Sequence, residues 1–205
     1  QPNLLMFEPT YADELEVILR YTFSHMQRPE GSSVYIRLST RNIPQITREI
    51  NKSLEGEILS GGYWLEKPKN KSNITIVFSG VMAPEVLEAI EILKEDMLDV
   101  SVLSITSADR LYKNWKEAQK QRSMGNKILS RIEELFLDTL SESVIVTLID
   151  AHSSSLTWIG GAVGKKTVSL GVDEFGQSGN LQDLYNHYDI DADAIVDACA
   201  QALSK

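Results

Sequence analysis

Cysteine is nearly absent: Cys199 is the only one in 205 residues. One thiol closes no intrachain disulfide, so a disulfide-stapled secreted fold is excluded and a reduced, cytoplasmic setting is expected. Asp197, Ala198 and Ala200 around it supply no base or cation, so a packed small hydrophobe is expected there, not a catalytic thiol. Long apolar runs are missing too. None approaches the roughly 20 residues that cross a bilayer, and no basic start leads into an apolar signal region, so no membrane partner is expected. Histidines number three, and Gly-x-Ser-x-Gly occurs nowhere, which removes the usual strand-to-helix nucleophile elbow. Net positive charge is lacking as well, with 29 acids against 20 bases for −9. Phosphate backbones are held by clustered Lys and Arg, so no nucleic-acid partner is expected. A modest basic excess between Lys113 and Lys127 reads as a solvated helix face.

What is there belongs to an ordinary globular chain, 42% hydrophobic and 24% charged, long enough for one large or two small domains. It opens at Gln1 without Met and carries an apolar segment almost at once, so it is expected to begin inside a longer protein. Leu4 to Phe7 reads as a strand closed by Glu8-Pro9. Asp13 to Met26 reads as a helix with Leu15, Ile18, Leu19, Thr22, Phe23 and Met26 on its apolar face. Val34 to Leu38 is the next strand, and Gln45 to Glu57, without a strong period, reads as a connector.

From there strand and helix alternate. Tyr63–Glu66 reads as a short edge strand, Lys67–Asn73 as a polar loop, Val100–Ile105 as a strand, and Ile74–Ser79 and Val144–Asp150 as strands buried on both faces. Helices are expected at Pro84–Asp96, Asp109–Lys120, Asn126–Leu137, within Ser153–Gly164, behind Asn180, and at Ala192–Leu203 with Asp191 as cap. That order predicts an α/β fold: a mostly parallel sheet with helices on both faces, preceded by the end of a second α/β domain.

Candidate chemistry is sparse. His152 follows a strand at the end where α/β folds place functional loops, beside Asp150 and Ser153 to Ser155. A hydrolase set and a polar loop at a domain or subunit contact are the two readings, and triads are defined by geometry, not by adjacency. Asp189, Asp191 and Asp193 alternate as calcium loops do, but lack the later Gly and Glu, so capping explains them. The glycine-rich loop from Gly171 to Gly179 precedes a helix, yet Asp173 and Glu174 would repel an anion and no base lies within it. It reads as a shaped contact loop, with Phe175 either an interface anchor or a plug beneath the turn.

The run Gly171-Val172-Asp173-Glu174-Phe175-Gly176-Gln177-Ser178-Gly179, followed by Leu181, Leu184, Tyr188 and Ile190 to Ile195, resembles the C-terminal domain of the transketolase superfamily. Upstream, Phe7 to Glu14 and Val34 to Asn42 resemble the end of the preceding pyrimidine-binding domain. The resemblance implies residues 1–44 as that end, 45–56 as linker, and 57–205 as a transketolase-type C-terminal domain. Transketolases proper show Ser-Arg-Gln-Asn where this chain reads Ser39-Thr40-Arg41-Asn42. Thr40 thus stands at the sugar-phosphate arginine, and Arg41, one step along an extended segment, points to the other face. The likeness therefore leans towards the homodimeric decarboxylating component of 2-oxoacid dehydrogenase complexes, as for pyruvate.

For the intact protein, the resemblance implies thiamine diphosphate with magnesium, a second copy as homodimer partner, and a lipoyl acyltransferase that takes the acyl unit. The Gly-Asp-Gly motif and the activating Glu belong to earlier domains of that family, and Gly-Asp-Gly is absent here; no cofactor, metal or catalytic residue is expected within these residues. Asp173, Glu174, Phe175, Gly176, Ser178 and His152 are the candidate interface, and Thr40 and Arg41 the candidate substrate region. A transketolase acting on sugar phosphates, a stand-alone partner-binding module and a small-molecule regulatory domain remain the alternatives.

Overall fold

A computed structural model describes residues 3–69 and 72–204. Asn70 and Lys71, in the expected polar loop, lie outside the described residues. Two short strands, β1 (Leu4–Phe7) and β2 (Ser33–Ile36), pair in parallel and are joined by helix α1 (Ala12–Met26). Residues 45–51 run without helix or strand, and α2 (Lys52–Ser60) follows. The second half of the expected connector is therefore helical. Asn51 caps it by accepting from the Leu54 amide at 3.0 Å, and Ile58 is buried.

A five-stranded sheet makes up the rest, from β3 (Gly62–Glu66), β4 (Ile74–Ser79), β5 (Val100–Ile105), β6 (Val144–Leu148) and β7 (Thr167–Leu170). Its spatial order is β3-β5-β4-β6-β7, parallel throughout except for β3, which runs antiparallel on the β5 edge. Gly61 turns the chain from α2 into β3 at φ +111°, where a Cβ would lie 2.7 Å from the Ser107 carbonyl. Only glycine takes that position without strain.

Every residue of β4, β5 and β6 is buried, because helices cover both faces. Ile74, Ile76 and Phe78 point to one side, onto Val86, Ala89, Ile90 and Leu93 of α3 (Ala83–Glu95) and Ile195, Ala198 and Cys199 of α8 (Ala192–Leu203). Val77, Leu103, Ile105 and Ile145 point to the other, onto Leu111 of α4 (Ala108–Ser123), Ile132 of α5 (Arg131–Leu135), and Leu156 and Ile159 of α6 (Ser154–Val163). The two-residue period of a strand delivers alternate side chains to the two layers. A short α7 (Leu181–His187) precedes α8. Among the described residues, no helix is long and apolar enough to cross a membrane.

A third core ties the strand pair to the sheet: Phe7, Val17, Ile18, Ile58 and Tyr63 are all buried together. The face of α1 differs from the expected one. Glu14, Val17, Ile18 and Thr22 are buried, whereas Phe23 and Met26 are exposed. Glu14 sits inside because its partners are there too. Its Oε2 accepts from the Thr10 amide at 2.6 Å, and its Oε1 accepts from the Tyr63 hydroxyl and from Arg48 at 3.3 Å. A buried carboxylate so satisfied replaces the apolar residue the period called for.

Candidate functional site

Strand β4 leads into α3 on one face of the sheet and β6 leads towards α6 on the other. Between such strands an open α/β sheet leaves a crevice at the C-terminal edge, where ligands characteristically bind. Here two side chains from the first strand pair enter that crevice. Arg37, just past β2, donates from Nη1 to Glu8 Oε1 at 2.7 Å and from Nη2 to the Asp150 carbonyl at 2.5 Å, with Asp150 Oδ2 3.5 Å away. The Glu8 amide donates to the Thr106 carbonyl at 2.8 Å, and Thr10 Oγ1 to the Gly80 carbonyl at 3.0 Å. Gly80 makes room: at φ +60°, a Cβ there would stand 2.5 Å from Glu8 Oε1.

Burial pushes the Glu8 carboxyl above its ordinary range, and Arg37 offsets this in part. Asp150 is raised by burial as well, against the pull of Arg37. Two carboxylates thus share one guanidinium, an arrangement that holds segments together. On either side of this bridge lies a cavity, one of about 230 Å³ reaching Leu38, Thr40 and Val81, the other of about 350 Å³ reaching Tyr35, Ser107 and Ser155.

Thr40 lines the smaller cavity, but Arg41 does not. Arg41 Nη1 donates to both oxygens of Glu85, at 2.7 and 2.9 Å, and its guanidinium carbon lies 5.5 Å from the Tyr185 ring centre. Burial raises the Glu85 carboxyl, with the Arg41 hydrogen bond opposing it, and pushes the Tyr185 hydroxyl up to about 12. A diphosphate with magnesium does not fit this donor set. The arginines at the crevice are already ion-paired, the remaining charge is carboxylate, and among the described residues no three His, Cys, Asp or Glu side chains converge for a metal.

The glycine-rich loop sits at the end of β7. Asp173 accepts from the Ser153 amide at 2.8 Å and from its hydroxyl at 2.7 Å, which anchors the loop to the start of α6 and holds the Asp173 carboxyl below its usual range. On the far side, the Tyr188 hydroxyl donates to the Phe175 carbonyl at 3.0 Å and accepts from the Gln177 amide at 2.9 Å. Phe175 between these ties is 95% exposed, so it is no plug beneath the turn. Glu174, Gly176 and Ser178 are exposed beside it.

His152 does join this loop, with Nδ1 3.3 Å from Asp173 Oδ1 and 2.9 Å from Ser154 Oγ. Both contacts fall on the same ring nitrogen. A relay needs the acid on one nitrogen and the nucleophile on the other, and Asp150 is bound to Arg37 instead. The hydrolase reading ends there. The structure therefore gathers His152, Asp173 and the residues after it at one place and sets Thr40 and Arg41 at another. Nothing in the sequence marks Glu8 or Arg37 as site residues. The one available signal is Gly80, a glycine straight after a fully buried strand.

Residues 61–191 match the family described as transketolase-like TK C-terminal domain. The chain belongs to that family. Among curated relatives, the pyruvate dehydrogenase E1 component of Pseudomonas aeruginosa is 26% identical over 99% of this chain and 24% of its own length. The Escherichia coli K12 component is 25% identical over 100% of this chain and 23% of its own length. A chloroplastic transketolase of Craterostigma plantagineum is 24% identical over 98% of this chain and 34% of its own length. The chain thus spans about a quarter to a third of these relatives. A solved split-gene transketolase superposes with a TM-score of 0.67 at 19% identity, over 98% of this chain and 58% of that one. That likeness shows the fold, and it takes in the β1–α1–β2 piece as well as the transketolase-like C-terminal sheet.

Proposed function

We propose that this chain is a non-catalytic, C-terminal part of a thiamine-diphosphate-dependent 2-oxoacid dehydrogenase of the pyruvate type, and that its work is domain and subunit packing. The observation that carries the packing role is the ion bridge across the crevice. Where the fold would admit a ligand, Arg37 of the preceding segment reaches in, held by Glu8 and donating to the Asp150 carbonyl. In this reading residues 1–44 are the end of the pyrimidine-binding domain, 45–56 the linker and 57–205 the C-terminal domain. Thiamine diphosphate with magnesium supplies the decarboxylation chemistry in other parts of the protein. The protein acts as a cytoplasmic homodimer, with Phe175 and its loop towards the second subunit, and hands its acyl unit to a lipoyl acyltransferase.

A 2-oxoacid is favoured over a sugar phosphate by the state of Arg41. Its guanidinium is held two-fold by Glu85 and faces Tyr185, so a phosphate would have to break a charge-assisted pair to use it. The test is an assay of the full-length protein with thiamine diphosphate and magnesium. Pyruvate-dependent reduction of ferricyanide, without ketol transfer between sugar phosphates, is the expected result. Ketol transfer without 2-oxoacid turnover would overturn the reading in favour of a transketolase. Turnover by residues 1–205 alone would overturn the non-catalytic role, and a parent chain lacking catalytic domains would leave a stand-alone binding module.

A further inference from the structure

Helix α4 buries Leu111 in the second core, buries Ala118 as well, and turns Lys113, Lys116 and Lys120 outward. Spacings of three and four put these ammonium groups on one face, over about 10 Å of helix axis. Next to them, the rings of Tyr112, Trp115 and Trp158 form a cluster with centroids 5.2 to 5.8 Å apart. Tyr112 is 41% exposed, and Lys116 Nζ stands 5.7 Å from the Trp115 ring. Lys113 is paired with Asp109, but among the described residues Lys116 and Lys120 have no carboxylate partner.

We propose that this face docks an acidic amphipathic helix supplied by another protein. Charge complementarity carries the choice of occupant. Residues 110–127 hold six bases and one acid in a chain whose net charge is −9, so the stripe is a local reversal of the molecule's field and steers an acidic segment to one place. The aromatic cluster beside it is the kind of rigid, half-exposed anchor on which an apolar helix edge is held. Helix docking also suits the lysine spacing, since Glu at i, i+3 and i+7 of a partner helix presents the matching row.

Nucleic acid is the less favoured occupant. The two arginines of α4 face inward, Arg110 over the Phe7 and Tyr21 rings and Arg122 onto Glu133 at 2.9 Å. The outward cations are thus lysines without a bidentate fork. The face lies on the far side of the sheet from α3 and α8 and does not depend on which reaction the full-length protein runs.

The probe is a synthetic helical peptide with Glu at i, i+3 and i+7 along one edge and Leu and Phe along the next. Its binding to the full-length protein is read by fluorescence anisotropy and by the tryptophan emission of the protein. Binding is expected to weaken at least about tenfold in K116E/K120E, to weaken less in K116Q/K120Q, and to fall as salt rises. Circular dichroism of both variants guards against misfolding. Absence of binding to the wild type would overturn the proposal, as would equal binding by the reversed variant. Tighter binding of an oligo-dT strand than of the peptide would overturn it in favour of nucleic acid. A rise in sedimentation coefficient that K116E/K120E abolishes, without peptide, would assign the face to self-association instead.

Discussion

Replacing Arg37 with Met keeps the aliphatic stem of the side chain and removes the charge that Glu8 and Asp150 share. The Glu8 side chain is 8% exposed and that of Arg37 32%. Breaking a fully buried ion pair costs about 3–5 kcal/mol, and solvent at the Arg37 end reduces this to about 2–3 kcal/mol. In a chain of this size that corresponds to a fall in Tm of about 4–12 °C. The pH dependence gives a sharper reading than the midpoint itself. A carboxyl whose folded pKa is raised stabilises the protein at low pH, and that stability is lost as pH rises through the folded pKa. Burial already puts Glu8 on that side, against the pull of Arg37, and the substitution moves it further. The deficit of R37M should therefore be largest at the high-pH end of the range and shrink as the pH falls and Glu8 protonates. Adding Glu8→Gln removes the stranded charge and should recover part of the loss at the higher pH. The assay is thermal unfolding followed by circular dichroism across that range. Equal stability of R37M and wild type at the higher pH would refute the reasoning, as would a double variant no better than R37M.

Phe175→Ala should leave folding stability within about 0.5 kcal/mol, since almost none of the ring is buried, while sedimentation of the full-length protein shows a weaker dimer; an unchanged dimer would remove the loop from the interface. Cys199 is fully buried and burial pushes its thiol up to about 12. It should thus resist a thiol reagent in the native state and react on denaturation, and rapid native labelling would contradict the α8 packing.

The legible parts of the fold were those where one residue class decides. Ile74–Ser79 and Val100–Ile105 are continuous apolar runs and form strands with the expected bounds. Asp191 caps α8 as expected, accepting from the Ala194 amide at 3.0 Å. Misreadings came where a polar residue took a core position or a cap lay inside a run. Glu14 occupies the buried face of α1 through partners brought from residues 10, 48 and 63, which no local pattern announces. The helix expected over Asn126–Leu137 is confined to Arg131–Leu135. Its start is Ser130, whose amide donates to Glu133 at 2.7 Å in a capping box, and that Ser-x-x-Glu spacing marks the true N-terminus. The candidate site was half visible. The exposed loop after β7 could be read from its glycines and acids, whereas the crevice bridge joins residues 8, 37 and 150 and has no signature along the chain.

The guanidinium in the crevice has a consequence for anyone seeking an inhibitor there. A diffusing molecule competes with a rival that is covalently leashed to its seat, and such a rival acts as if present at millimolar concentration or above. Compounds aimed at that edge of the sheet will therefore lose most of their affinity to eviction, and screening a variant without the rival is the way to see whatever weak binders the bare edge would accept.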